Sequence, residues 1–463
     1  MADERADWRQ LQLRELLTWT HLFRGFQIAL DVKKIVLGAA GAVMTALGSW
    51  LIVWLLLAPA STPDATDSGA SDLEPAGQLA DSAAVRRFDA MAREAMRLPW
   101  QAGTPPARGW PDVYRSPLRT DGYLEGGGVP IPKAALLVLE PIRQLVHPVD
   151  LLLHAPGGRW WAAALLLLWT LVVWALIGGA ITRIAAVQVT RDGQLSAMDA
   201  LRFVARRYVH YFGAPLLPLI GVVVLGVLCA AAGAIARVFV LDIVVGLFWV
   251  LVLLAGFVMA VAVVGLVIGW PLMYSAISVE ATEAIDAVSR SYSYVIFGRP
   301  WHYFWYALVA VVYGGILTTF VVAVGSYTVD LSKAAVSWGG VWGGESAIHA
   351  LYHYVPTAGG WREAFSDPQS EPRSTGIIAA LFVALWTHGL FLGLVGFAYS
   401  YFWSASTIIY LLLRRAVDET EFEEVYLEED DEEPFPTIAP TAESAPATPS
   451  GPSLPVVEPP ATP

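Results

Sequence analysis

Six stretches of this chain carry no Asp, Glu, Lys or Arg: 35–59, 160–182, 216–236, 243–270, 303–325 and 376–403. A helix needs roughly 20 apolar residues to cover a hydrocarbon core of about 30 Å, and each stretch is long enough. Inside a bilayer the backbone has no water to bond, so such stretches must satisfy their own amides as helices. The fold class is therefore all-α, a polytopic membrane bundle of six transmembrane helices. Composition excludes the soluble alternative: with 56% hydrophobic and 15% charged residues, the chain has too little charge to cover a soluble core of its length.

The segments between the spans repeat. From Ile181 to Ile220 an apolar span ends, a basic amphipathic helix follows, and Pro215 leads into the next span. In that helix Met198, Leu201, Ala205 and Tyr208 share one face, with Arg202 and Arg206 near its edge. From Ser275 to Leu308 the pattern returns: Asp286-Ala287-Val288 echoes Asp199-Ala200-Leu201, and Phe297-Gly298-Arg299-Pro300 echoes Phe212-Gly213-Ala214-Pro215. Ahead of the first span Trp19, Leu22, Phe23, Phe26 and Leu30 follow helical spacing, with Arg24 and Asp31 off that face. Three interfacial elbow helices, before the first, third and fifth spans, give three elbow-span-span repeats in one orientation, parallel and not inverted.

Charge placement orients the bundle. The N-terminal segment 1–34 holds six cationic residues and the first of the two inter-span elbows five, and the last helix ends in Arg414-Arg415. By the positive-inside rule both termini and all three elbows are cytoplasmic. The net charge of -12 belongs to the tail, since Asp418 to Glu433 alone contributes eleven carboxylates. Only four of the 29 cationic residues are lysine, which points to a GC-rich bacterial genome and hence to a bacterial inner membrane. The lone Cys229 excludes a disulfide framework.

The membrane domain runs over 35–415, with outer loops at 60–159 and 326–375. In the first loop Val85, Phe88, Ala92 and Met96 share the face of a short helix. Residues 134–153 are apolar, but Glu140, Arg143 and Asp150 punctuate them and Pro141 and Pro148 would break a crossing helix, so an interfacial segment is expected. Ala58-Pro59-Ala60 resembles a cleavage site, yet the apolar run before it is too long for a signal peptide. Residues 416–463, acidic and then rich in Pro, Ala and Thr, bury too little apolar surface to order and are expected to be a disordered tail, dispensable beyond Val417.

Two stretches carry a resemblance. TRIAAVQVTRDG at Thr182 to Gly193 and FWSASTIIYLLLRR at Phe402 to Arg415, with the elbow-and-span layout, are similar to an uncharacterised family of bacterial multi-pass membrane proteins. More remotely, the layout resembles the membrane region accompanying some glycerophosphodiester phosphodiesterases. Enzymes of that group hold their active site in a separate soluble barrel, which has no counterpart in this sequence. The resemblance implies a membrane location and no activity.

Residues that carry chemistry are few. There is no GK[ST] phosphate loop, HExxH, CxxC or nucleophile elbow, so neither a catalytic set nor a cofactor-binding set is expected. Glu345, His349 and His353 align at i, i+4, i+8 and could ligate a metal with Asp330, although histidines on an interfacial helix explain them as well. His147 and His154 are weaker candidates. His388, in the sixth span, is the one ionisable residue within a span, and Tyr313 in the fifth counts to a matching depth. The two are expected to hydrogen-bond, as a packing device or as a functional site. Gly38, Gly41, Thr45 and Gly48, and Gly389, Gly393, Gly396 and Ser400, form small-residue faces suited to close helix packing.

Two functional classes follow. The leading one is a non-enzymatic membrane protein with an organising or partner-binding role, whose partners are the lipid bilayer and a protein at the acidic tail, with no nucleic acid. The alternative is a transporter or lipid-handling protein using a polar site around His388.

Overall fold

The computed structural model describes residues 18–56, 85, 88, 92, 132–153, 155, 159–237, 241–341, 374–420 and 425–426. Among these there is no strand, and the fold is an all-α bundle. A 3-10 turn at Thr18–Arg24 leads into α1 (Gly25–Ala29) and α2 (Val32–Leu56). A second 3-10 turn at Lys133–Leu139 leads into α3 (Glu140–Leu153) and α4 (Trp160–Arg191). Then follow α5 (Ala197–Arg206), α6 (Tyr208–Ile235), α7 (Leu241–Leu247), α8 (Trp249–Glu280) and α9 (Ala284–Tyr292). A π-helical turn at Ser293–Gly298 precedes α10 (Pro300–Val341), and α11 (Ser374–Asp418) is the last element. Six of these helices, α2, α4, α6, α8, α10 and α11, are long and apolar enough to cross a membrane. Glu345, His349, His353, His154, Met96 and all but the start of the tail lie outside the described residues.

The three return helices α4, α8 and α11 end alike. Each stops at a residue in the left-handed region: Asp192 (φ 49), Ala281 (φ 58) and Glu419 (φ 55). A left-handed residue turns the chain out of the helix axis. After α4 and α8 it folds a short helix back along the helix just finished. Thus α5 packs Ala200, Phe203 and Val204 toward α4, and α9 runs along α8, where the Ser291 hydroxyl bonds the Gly269 carbonyl at 2.8 Å. The segment before α2 takes the equivalent place on α11, with the Ser400 hydroxyl bonding the Ala29 carbonyl at 2.8 Å. The first elbow therefore occupies on the last helix the position that the second and third occupy on α4 and α8. We call the end where α2 begins and α11 finishes the terminal face.

Two of these elbows differ from the sequence pattern. The first is a 3-10 turn followed by a five-residue helix, so its apolar residues split: Leu22 is buried, while Phe23 and Leu30 are exposed. In α5 the stripe toward α4 is Ala200, Phe203 and Val204, whereas Met198 and Ala205, expected on the apolar face, are exposed. The helix has two apolar edges, and the one with the phenyl ring makes the intramolecular contact.

The core is aromatic and lies between the return helices. The Trp174 ring stacks on Tyr399 at 4.7 Å, and Trp403 stacks on Tyr274 at 5.3 Å and meets Trp270 edge-on at 5.2 Å. Offset-stacked and edge-to-face geometries suit the ring quadrupoles. Glycine opens the seams beside them. A Cβ on Gly396 would stand 2.3 Å from the Ile35 carbonyl oxygen, and one on Gly38 2.8 Å from the Gly396 carbonyl oxygen, so α2 and α11 meet backbone to backbone. Gly41 and Gly48 instead accommodate Trp174 and Trp169, and around Gly389 and Gly393 a Cβ would meet nothing within 4 Å.

The segment expected at the interface enters the bundle instead. The Trp174 indole N–H donates to the Gln144 side-chain oxygen at 3.0 Å, and Trp174 lies about 21 Å along α4 from Trp160 at helical rise. Further out, Leu151 packs with Ala163, Leu166 and Val53, and with Phe88 and Ala92, which are helical and buried as the spacing implies. Residues 133–153 thus form one helical run packed inside the bundle, its 3-10 part against α10 and α11 and its α-helical part against α4. Pro141 causes no break because it sits in the first turn of α3, where its missing N–H has no helical partner to lose. Glu140 and Arg143 pair with each other at 3.6 Å, which lets the charges enter together.

Candidate functional site

Two kinds of site emerge, polar clamps at the terminal face and an apolar cleft beside them. In the first clamp the fully buried Lys34 donates to Gln188 at 2.8 Å and to Ser404 at 3.2 Å, and Gln188 donates to Asp31 at 2.6 Å. In the second, Arg183 on α4 donates to the Ser278 carbonyl at 2.7 Å and lies over the Phe203 ring at 4.0 Å, while Arg207 lies over the same ring at 4.7 Å. Arg183, Arg206 and Arg207, grouped with Arg191 and Arg202 by the sequence, are therefore not equivalent. Arg183 is buried and ties α4 to α8, whereas Arg202 is exposed.

The third clamp centres on Glu280, the last residue of α8. Its carboxylate meets Arg290 at 2.7 Å and Arg414 at 3.1 Å and accepts from the Tyr410 hydroxyl at 2.6 Å. Asp418 accepts from Tyr294 and stands 3.7 Å from Arg290. Burial opposes the charge on Arg290, but the Glu280 carboxylate together with the Tyr410 and Tyr294 oxygens outweighs it and holds the guanidinium pKa above its ordinary value. Burial, then the Asp418 hydrogen bond and charge, pushes the Tyr294 hydroxyl up. Sequence reasoning missed this cluster because Arg414-Arg415 read as orienting charge. A signal was present: Glu280 and Asp418 each end a helix, where the macrodipole disfavours an anion unless a cation answers it.

The cleft has a volume of about 290 Å³ and is lined by α8 (Val267 to Leu272), α10 (Tyr303 to Val311), α11 (Tyr401 to Ile409) and the start of α3 with the turn before it (Val138, Leu139 and Ile142). Its polar side chains are turned to backbone partners: Tyr303 donates to the Ile268 carbonyl at 2.9 Å, Tyr401 to Ala310 at 2.8 Å and Ser406 to Phe402 at 2.8 Å. What remains is an apolar wall. Phe304 and Val311 in the lining are exposed, so the cleft opens outward along α10.

The intramembrane candidates do not meet. The Tyr313 hydroxyl donates to the Phe23 carbonyl at 3.3 Å, and its ring contacts Phe23 and Tyr401. His388 Nδ1 lies 2.7 Å from the carbonyl of Ala384, one turn back on its own helix. The register explains the miss. Gly314 sits against Tyr401 and Gly325 against Leu394, which places Tyr313 beside the later part of α11 and His388 opposite the stretch after Gly325. Depth counted from each span's sequence boundary failed because α10 continues as helix beyond Gly325 to Val341. Asp330 lies on that extension, and among the described residues no three His, Cys, Asp or Glu side chains converge as metal ligands. Comparison with protein-family models, curated proteins and solved structures found no match for this chain.

Proposed function

We propose that this is a non-enzymatic, partner-binding protein of a bacterial cytoplasmic membrane, with both termini cytoplasmic, and that its partner is a membrane lipid held by one acyl chain in the cleft. The carrying observation is the apolar cleft of about 290 Å³, open along α10, with its own polar groups bonded inward. A concave apolar site of this size suits a hydrophobic ligand. The non-catalytic part of the reading is supported by the clamps, where Lys34, Arg183 and Glu280 are all bound to groups of neighbouring helices. The lipid-handling role thus moves from His388 to the cleft. The test uses the purified protein in nanodiscs with a phospholipid carrying a diazirine in its acyl chain. Crosslinks mapping to residues 267–272, 303–311 and 401–409 are expected, and a label spread evenly over all exposed spans would overturn the reading. Labelling of a cysteine introduced at Ser444 from outside the cell would overturn the orientation.

A second reading, a protein partner within the membrane, is favoured by one observation: the apolar window of α6 has no buried residue and that of α8 is 11% buried.

A further inference from the structure

We infer that the lipid in the cleft is an anionic phospholipid of the leaflet at the terminal face, with its phosphate at Arg299. This rests on the lipid-binding reading above and adds the headgroup and the leaflet. The cleft lies toward one end of the bundle. On α10 its lining begins at Tyr303, three residues after that helix starts, and on α8 it includes Pro271 and Leu272, near the end that carries the Glu280 clamp. A chain in it belongs to a lipid whose headgroup is at the terminal face.

Arg299 stands at that level, one turn before Tyr303. It is exposed, and among the described residues it has no ion-pair partner, whereas its neighbour Arg290 is held by Glu280. A guanidinium matches phosphate oxygens in a two-pronged geometry and keeps its charge at any physiological pH. Around it Phe297 and Trp301 are 78% and 83% exposed, in the pattern of aromatic rings anchored among headgroups. Charge and apolar wall are therefore spaced as in a phospholipid, with the cation at the membrane surface and the cleft running inward from it.

The experiment compares wild type with Arg299→Gln and Arg299→Lys in nanodiscs, using two acyl-chain photoprobes, a phosphatidylglycerol and a phosphatidylcholine. Cleft labelling of wild type should favour the phosphatidylglycerol probe several-fold. Arg299→Gln should lose that preference, with the choline probe unchanged, and Arg299→Lys should keep part of it. Equal labelling of wild type by both probes, or a preference surviving Arg299→Gln, would overturn the headgroup assignment while leaving chain binding standing. A free fatty acid probe labelling the cleft better than either phospholipid would overturn it too. Absence of any cleft label would instead fail the underlying reading. The Arg299 side chain is exposed, so the thermal unfolding of both variants in detergent should match wild type.

Discussion

Helices α4 and α6 are both long, apolar and free of charge through their spans, yet 67% of the apolar window of α4 is buried and 0% of that of α6. Hydropathy places both in a membrane and says nothing about which one the protein surrounds. The difference lies in which residues interrupt the aliphatic run. In α4, Trp169 and Trp174 supply large rings, and Gly178 and Gly179 give way to the Trp403 and Tyr211 rings, where a Cβ would stand 2.8 and 2.9 Å from ring carbons. In α6 the glycines 221, 226 and 233 face nothing within 4 Å. Glycine in a span is thus a packing device in one helix and open surface in the other.

The sharpest break of this comparison is a matched pair of substitutions. Gly396→Leu drives a side chain into the Ile35 carbonyl at the α2–α11 seam, where backbone on both sides cannot yield, and should cost about 3 kcal/mol or more. Gly226→Leu on α6 should change stability by less than about 0.5 kcal/mol. Thermal unfolding in detergent reads both. A large loss from Gly226→Leu in the membrane but not in detergent would mean that a protein partner covers α6, and would favour the second functional reading.

The next effect is smaller and concerns the boundary of the packed region. The sequence placed the start of the dispensable tail after Val417, because the apolar period stops there. Asp418, however, accepts from Tyr294, and Val425 is 6% exposed. Ending the chain after Val417 should lower stability by about 1–3 kcal/mol, the loss of a charged acceptor from the buried Tyr294 plus a buried valine. Ending it after Tyr426 should leave the unfolding temperature unchanged. Equal unfolding temperatures for the two truncations would show that neither contact matters.

What could be read from the sequence was set by local rules. The spans follow from charge-free length, the elbows after α4 and α8 from the repeat that carries Asp199 and Asp286, and two small-residue faces from Gly38 and Gly396, though not that these two faces meet. The cleft and the inward packing of 133–153 could not be read, because they depend on which distant groups answer a polar residue. Glu140, Arg143 and Gln144 look like surface residues until Trp174 is known to bond Gln144 inside the bundle. His388 and Tyr313 looked paired because span depth was counted from hydropathy edges, whereas helix register is set by side-chain contacts such as Gly314 with Tyr401.

The smallest expected effect tests how tightly the third elbow is held on α8. Tyr292 ends α9, its hydroxyl donates to the Ala262 carbonyl at 2.6 Å, and Gly265 leaves room for its ring. Burial pushes this hydroxyl up to about 12. An unfolded tyrosine loses its proton near pH 10. Because the folded value is the higher one, the contribution of Tyr292 to stability is complete below about pH 10 and is lost as pH rises toward about 12. Tyr292→Phe should cost about 1 kcal/mol at neutral pH, the net worth of one hydrogen bond, and should flatten the alkaline fall between about pH 10 and 12. The fall should not vanish, because Tyr294, also pushed up by burial and Asp418, still titrates late. An alkaline profile of unfolding temperature in which Tyr292→Phe parallels wild type would show that the elbow opens before the phenol titrates, and that α9 is held more loosely than α5.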